Sequence, residues 1–148
     1  MPRIKSFYYT GKNQKYKGCE IPYERFKELE YFCAQYKDYQ YKINECYSKT
    51  PHPPNGMPHG TITCDPTGDA AITIALYSSY VKAIEQAAIE ADNIIYQDII
   101  FALKNRGVGY NYLNMHRNIK CSKNTYYKKR ADFFCILDCY LKFGTHGT

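Results

Sequence analysis

From Asp69 to Arg106 the chain carries no proline and no glycine. Within that stretch Ile74, Tyr77, Val81, Ile84, Ala88, Ala91, Ile95, Asp98 and Ala102 recur at steps of three and four. That spacing puts them on one face of a helix. Ile94, Ile99 and Phe101 widen the stripe at its far end. The pattern predicts a single helix of about 40 residues, roughly 60 Å long at 1.5 Å per residue. Asp65 suits its N-cap, Pro66 its first position and Gly107 its stop. One shorter partner cannot bury such a helix. Pairing with another helix of the chain and with a second copy is therefore expected. Ala83, Ala87, Ala88 and Ala91 permit close approach, and the seven-residue recurrence suits coiled packing. An antiparallel hairpin within one chain is the simpler alternative.

The other half of that hairpin lies upstream. Pro22 opens a segment in which Phe26, Leu29, Cys33, Tyr36, Gln40, Ile43 and Tyr47 keep the same period. Only Gln40 interrupts the apolar stripe, and a helix is expected from Pro22 to about Ser48. Residues 49–64 cannot continue it, because the run from Thr50 to Gly60 holds four prolines and two glycines. An extended strap is expected there. His52, His59 and Cys64 fall in it, and a loop histidine is ordinarily just exposed. Residues 1–21 read as a basic arm. The expected fold is all-α, with a long antiparallel helical hairpin over 22–106 and a C-terminal helix-turn-helix over 107–148.

No run of eighteen apolar residues is present, so no membrane span is expected. The N-terminus lacks an apolar h-region, which argues against a secretory signal and for the cytoplasm. Seven cysteines without a Cys-x-x-Cys pair are expected to be thiols in a reducing compartment. Cys135 and Cys139 share a helix face and could join Cys121 or His116 around zinc. Zinc-finger spacing is absent, however, and no metal or cofactor is expected. Seventeen tyrosines stand beside no tryptophan. Tyrosine then serves as the large aromatic of half-buried helices, with its hydroxyl wet.

Charge is segregated. Between Lys104 and Lys142 nine cations face Asp132 and Asp138, a net +7. Residues 1–18 carry five cations and no acid, and residues 19–103 carry six cations against twelve acids. Clustered Lys and Arg supply phosphate affinity, so the two basic ends point to a nucleic-acid partner. A solvated basic helix would have the same composition.

The basic C-terminal end also has the order of parts that a DNA-entering helix-turn-helix needs. Tyr110 to Met115 suit a short helix, with Tyr112 and Leu113 inward. His116 to Cys121 suit a turn plugged by Ile119, and Ser122 suits the N-cap of a second helix. Tyr126, Phe133, Phe134, Leu137 and Leu141 mark its core face. Lys123, Asn124, Tyr127 and Lys128 then point outward near its start. That is where a recognition helix meets base edges. Arg117, Lys120, Ser122, Thr125, Lys129 and Arg130 are the candidate phosphate contacts. Double-stranded DNA is the expected partner.

The sequence Ser122-x-x-Thr125-Tyr126, followed by Lys-Lys-Arg and an apolar tail, resembles the end of sigma-factor-like DNA-binding regions. Around it stand a tyrosine-rich first helix, a strap ending in Gly60-x-x-x-x-Asp65-Pro66-Thr67 and an alanine-rich helix. Over residues 20–142 this layout resembles the RinA and ArpU-type late-gene transcription regulators of phages of Gram-positive bacteria. The resemblance implies a small, mostly helical, cytoplasmic activator of late operons in the host cell. RNA polymerase is a further candidate partner, and the long helices make a homodimer the expected state. Arg130 stands where a sigma-like helix usually has an apolar residue, and the turn from Asn118 to Cys121 is less regular.

Catalytic signals are sparse. No Gly-x-x-x-x-Gly-Lys loop and no His-Glu-x-x-His pair occurs, and no nucleophile has a base at motif spacing. Gly107-x-Gly109 follows a helix and not a strand, so it makes no dinucleotide loop. A binding protein is expected, not an enzyme. The alternative to DNA binding is a small helical phage protein that binds and modulates a host protein or nucleoprotein complex. A phage structural component held by the long helix is a third reading.

Overall fold

The computed structural model describes residues 21–48 and 68–143. The expected basic arm, the strap and the Asp65-Pro66 helix start lie outside the described residues. Those described are all-helical, with no strand among them. The helices are α1 (Tyr23–Ala34), α2 (Tyr36–Ser48), α3 (Gly68–Ala91), α4 (Tyr96–Lys104), α5 (Tyr110–His116) and α6 (Lys123–Phe143).

Each of the two long helices expected from periodicity is broken once. The first breaks at Gln35, whose φ of −91° and ψ of 11° leave the helical register. Its side-chain amide donates to the Tyr31 carbonyl at 3.2 Å, which meets an acceptor freed by the break. Neither glycine nor proline stands there. Burial changes course at the same place: Phe26, Leu29, Cys33 and Tyr36 are buried as expected, but Tyr39 then replaces Gln40, which is exposed.

The second break, at residues 92–95, has a clearer cause. The Asp92 carboxylate accepts from the amides of Ile94 at 2.8 Å and Ile95 at 3.1 Å. A short acidic side chain that bonds nearby amides offers the backbone an alternative to the helix ladder. The result is a 24-residue α3, about 36 Å long at 1.5 Å per residue, instead of the expected helix of 40. Ile94, expected on the apolar stripe, is turned out by this corner and is 71% exposed. α4 ends before the expected Gly107 stop, at Lys104 with Asn105 as its C-cap. Gly107 lies in the turn that follows, where its φ of +89° fits the third position of a turn closed by the Val108 amide on the Asn105 carbonyl at 3.3 Å.

The chain divides into two compact units, at 35/36 and 81/82 and not at 106/107. The first, over its described residues, comprises 21–35 and 82–143. The expected C-terminal module therefore shares a compact unit with α1, α4 and the end of α3. In this unit α1 packs on α4 and α6. Phe26 and Phe134 meet edge to face with centroids 5.1 Å apart. Leu29, Ile84, Ile95, Ile99, Leu113, Phe133 and Leu137 are fully buried around them. Arg25 bonds Asp138 at 2.7 Å across α1 and α6. Partial burial opposes its charge, but the bond to Asp138 and a second to Glu28 outweigh that and hold its pKa above the usual value. The second unit, residues 36–81, is tied by tyrosines. Tyr39 lies 5.6 Å from Tyr77 and 5.2 Å from Tyr80, ring to ring.

Residues 131–137 of α6 are buried without interruption, Asp132 included. A helix buried all round is a core element. Only the ends of α6 are open to solvent, and Leu141, expected inside, is 36% exposed. Cys33, Cys121 and Cys139 are free thiols, and burial pushes the Cys33 thiol well up. Cys135 is disulfide-bonded, which corrects the expectation of seven thiols. No helix among the described residues is long and apolar enough to cross a membrane.

Candidate nucleic-acid interface

The first turns of α6 form as the sequence implies. The Ser122 hydroxyl accepts from the Thr125 amide at 3.2 Å and pairs with the Thr125 hydroxyl at 3.0 Å. It is the N-cap, and such a cap contributes about 1 kcal/mol. The preceding turn is set by three contacts. Asn118 takes φ of +52°, the left-handed region that asparagine tolerates. The Leu113 carbonyl accepts from the amides of Arg117 at 2.9 Å and Ile119 at 3.4 Å. Ile119 is buried, as the plug requires.

Two tyrosines brace this corner. The Tyr110 hydroxyl donates to the Cys121 carbonyl at 2.7 Å, latching the start of α5 to the residue before the cap. Its ring lies 6.0 Å from that of Tyr126, which is 1% exposed. Burial pushes the Tyr126 phenol up to about 12. Tyr112, expected inward, is 44% exposed and stacks on Phe101 from outside, with Leu113 alone taking the inward place.

The base-reading candidates stand together. Lys123, Asn124, Tyr127 and Lys128 are all exposed on the first two turns of α6. A Cβ at Gly109 would lie 3.7 Å from the Tyr127 hydroxyl, so that side chain leans toward the start of α5. Lys120 is exposed beside them, and Lys129 is half-buried. None of these four lysines makes an ion pair among the described residues. The amides that open a helix carry partial positive charge and point outward, which favours an anion at the same end.

The remaining phosphate candidates are differently placed. Ser122 and Thr125 spend their hydroxyls on each other. Arg117 bonds Asp98 at 2.7 Å and lies 4.3 Å from the Phe101 ring centroid. It fastens the turn to α4 while remaining exposed. Arg130 is turned into the fold. Its side chain is 18% exposed, it reaches Glu30 at 3.4 Å, and it lies over Phe134. An Arg at the position where an apolar residue is usual thus takes an inward place, its stem and planar head packed on aromatic faces. Sequence spacing pointed to neither Asp98 nor Glu30, because both partners come from distant helices.

Among the described residues, no three His, Cys, Asp or Glu side chains gather as metal ligands. Comparison of the chain with protein-family models, curated proteins and solved structures gave no match.

Proposed function

We propose that the protein binds double-stranded DNA as a transcription regulator, through α5, the turn and the exposed start of α6 arranged as a helix-turn-helix. The observation that carries this reading is the cluster at the open end of α6. Lys123 and Lys128, with Lys120 in the turn before them, are exposed without ion pairs among the described residues, beside Asn124 and Tyr127 on a helix whose middle is anchored in the core. A rigidly seated helix that presents only its first turns suits insertion of those turns into a major groove. Lys123 and Lys128 suit guanine, and Asn124 suits adenine. Lys120, Lys129 and the amides at the start of α6 suit phosphates. Arg117 and Arg130 act as structural supports of the interface. The phage late-gene resemblance gains no support from the comparisons and stays a proposal. So do a homodimer, RNA polymerase as partner and residence in the host cytoplasm.

Selection from a random duplex library tests sequence reading. Enrichment of a common site that Asn124→Ala relaxes at one position supports it. Retention without enrichment reduces the reading to backbone binding, and no retention removes it.

A protein partner is the second reading. Met115 is 77% exposed and Ile94 71%, with the Tyr112 ring also open. Apolar and aromatic side chains of this kind anchor protein interfaces. This reading predicts that Met115 and Tyr112 truncations matter and that the α6 lysines do not.

A further inference from the structure

A cavity of about 190 Å³ opens in the first unit, among α1, the end of α4, the loop after it and α6. Arg106, Arg130 and Glu30 supply its ionised wall, with Leu103, Gly107 and Val108 beside them. The two arginines are poorly satisfied. A guanidinium has five N–H donors. Among the described residues Arg130 makes one hydrogen bond, to Glu30 at 3.4 Å, near the outer limit for such a bond. Its side chain is nonetheless only 18% exposed. Glu30 is moreover shared with Lys27, which it meets at the shorter distance of 3.0 Å. Arg106 lies 5.2 Å over the Tyr31 ring and makes no hydrogen bond or ion pair among the described residues. Arg106 is exposed and Arg130 half-buried, and N–H donors that face a cavity without a partner from the described residues are open to an anionic acceptor.

We infer that this cavity binds a phosphate group between Arg106 and Arg130. Guanidinium forks match phosphate oxygens in pairs. Two forks from separate elements suit the three oxygens of a phosphomonoester better than the two of a carboxylate. The volume leaves room for more than the phosphate itself, so a small phosphorylated molecule fits the class. Two groups oppose the anion: the Glu30 carboxylate and the carbonyl end of α4, which carries partial negative charge. Glu30 therefore sets the affinity, and its neutralisation strengthens binding. The inference does not rest on the DNA-binding reading, since the exposed lysines at the start of α6 do not line the cavity.

Titrating inorganic phosphate into the full chain, at ionic strength held constant with sodium chloride, tests the site by calorimetry. Saturable binding is expected. Arg106→Gln, on an exposed side chain, is expected to weaken it roughly tenfold or more, the weight of a charge-assisted bond. Glu30→Gln is expected to tighten it, and Lys82→Ala, at an exposed cation away from the cavity lining and from the start of α6, to leave it unchanged. Equal binding by wild type and Arg106→Gln overturns the site, as does the absence of saturation in wild type. A short DNA duplex separates the two sources of phosphate. If the duplex needs Arg106 while inorganic phosphate does not bind, the arginines serve the nucleic-acid backbone and the small-anion site is overturned.

Discussion

The Tyr126 phenol is buried with no hydrogen bond among the described residues, and burial raises its pKa from 10.0 to about 12. The fold keeps the neutral form. Its contribution is therefore whole below pH 10 and is lost as pH rises from 10 toward 12, where the unfolded chain ionises and the folded one resists. Two units correspond to about 2.7 kcal/mol at most. Tyr126→Phe should remove that part of the alkaline loss and leave stability at neutral pH within about 1 kcal/mol, since no bond is broken. Urea unfolding at neutral pH and above pH 11 or so checks both. An unchanged alkaline loss contradicts the assignment. At the same scale, Lys123 and Lys128 are exposed without ion pairs, so alanine at both should leave the circular dichroism spectrum intact. If they meet phosphates or bases, duplex affinity falls, and the slope of log K against log salt flattens by up to about 1.8.

Helix ends carry the element-scale account. Ser122→Ala removes the α6 cap and should cost about 1 kcal/mol. Asp92→Ala removes the two bonds that turn α3 into α4 and should cost about 1–2 kcal/mol, by analogy with a cap. Asn118 sits in the left-handed region. Asn118→Gly should be neutral or stabilising by up to about 1 kcal/mol, while Asn118→Ile should cost about 1–2 kcal/mol or more. Chemical denaturation of the four variants checks these, and a stable Asn118→Ile protein would refute the turn geometry. Element identity was largely legible in the sequence here. Ser122 before a basic run marks the cap of α6, and Gly107 marks the turn that follows α4. The corner at Asp92 was masked by an apolar period that continues through it, and Asp-Asn was its only local sign. The break at Gln35 left less trace, a single polar residue at Gln40 in an apolar stripe.

At the scale of the molecule, α6 is both core and interface. Its middle is buried, with α1 packed against it, and its first two turns remain open. Phe134→Ala should therefore cost about 3–5 kcal/mol by cavity formation against Phe26, far more than any change at the open end. Thermal unfolding checks this ordering. The inward residues of this arrangement were readable from spacing, as Phe133, Phe134 and Leu137 show. The ion pairs were not. Arg117 pairs with Asp98 of α4 and Arg130 with Glu30 of α1, so two cations that spacing offers to the DNA backbone are paired with carboxylates of other elements. Lys120, Lys123 and Lys128 are left as the open charges of the candidate surface.

The most direct measurement is fluorescence anisotropy of a labelled duplex with the purified protein across a salt series, beside Lys123→Ala/Lys128→Ala. The account predicts binding at low salt that weakens steeply as salt rises, and a double variant that is folded, weaker and less salt-dependent. A folded wild-type protein that leaves the duplex unbound at low salt, or a double variant that binds as wild type does, would contradict it.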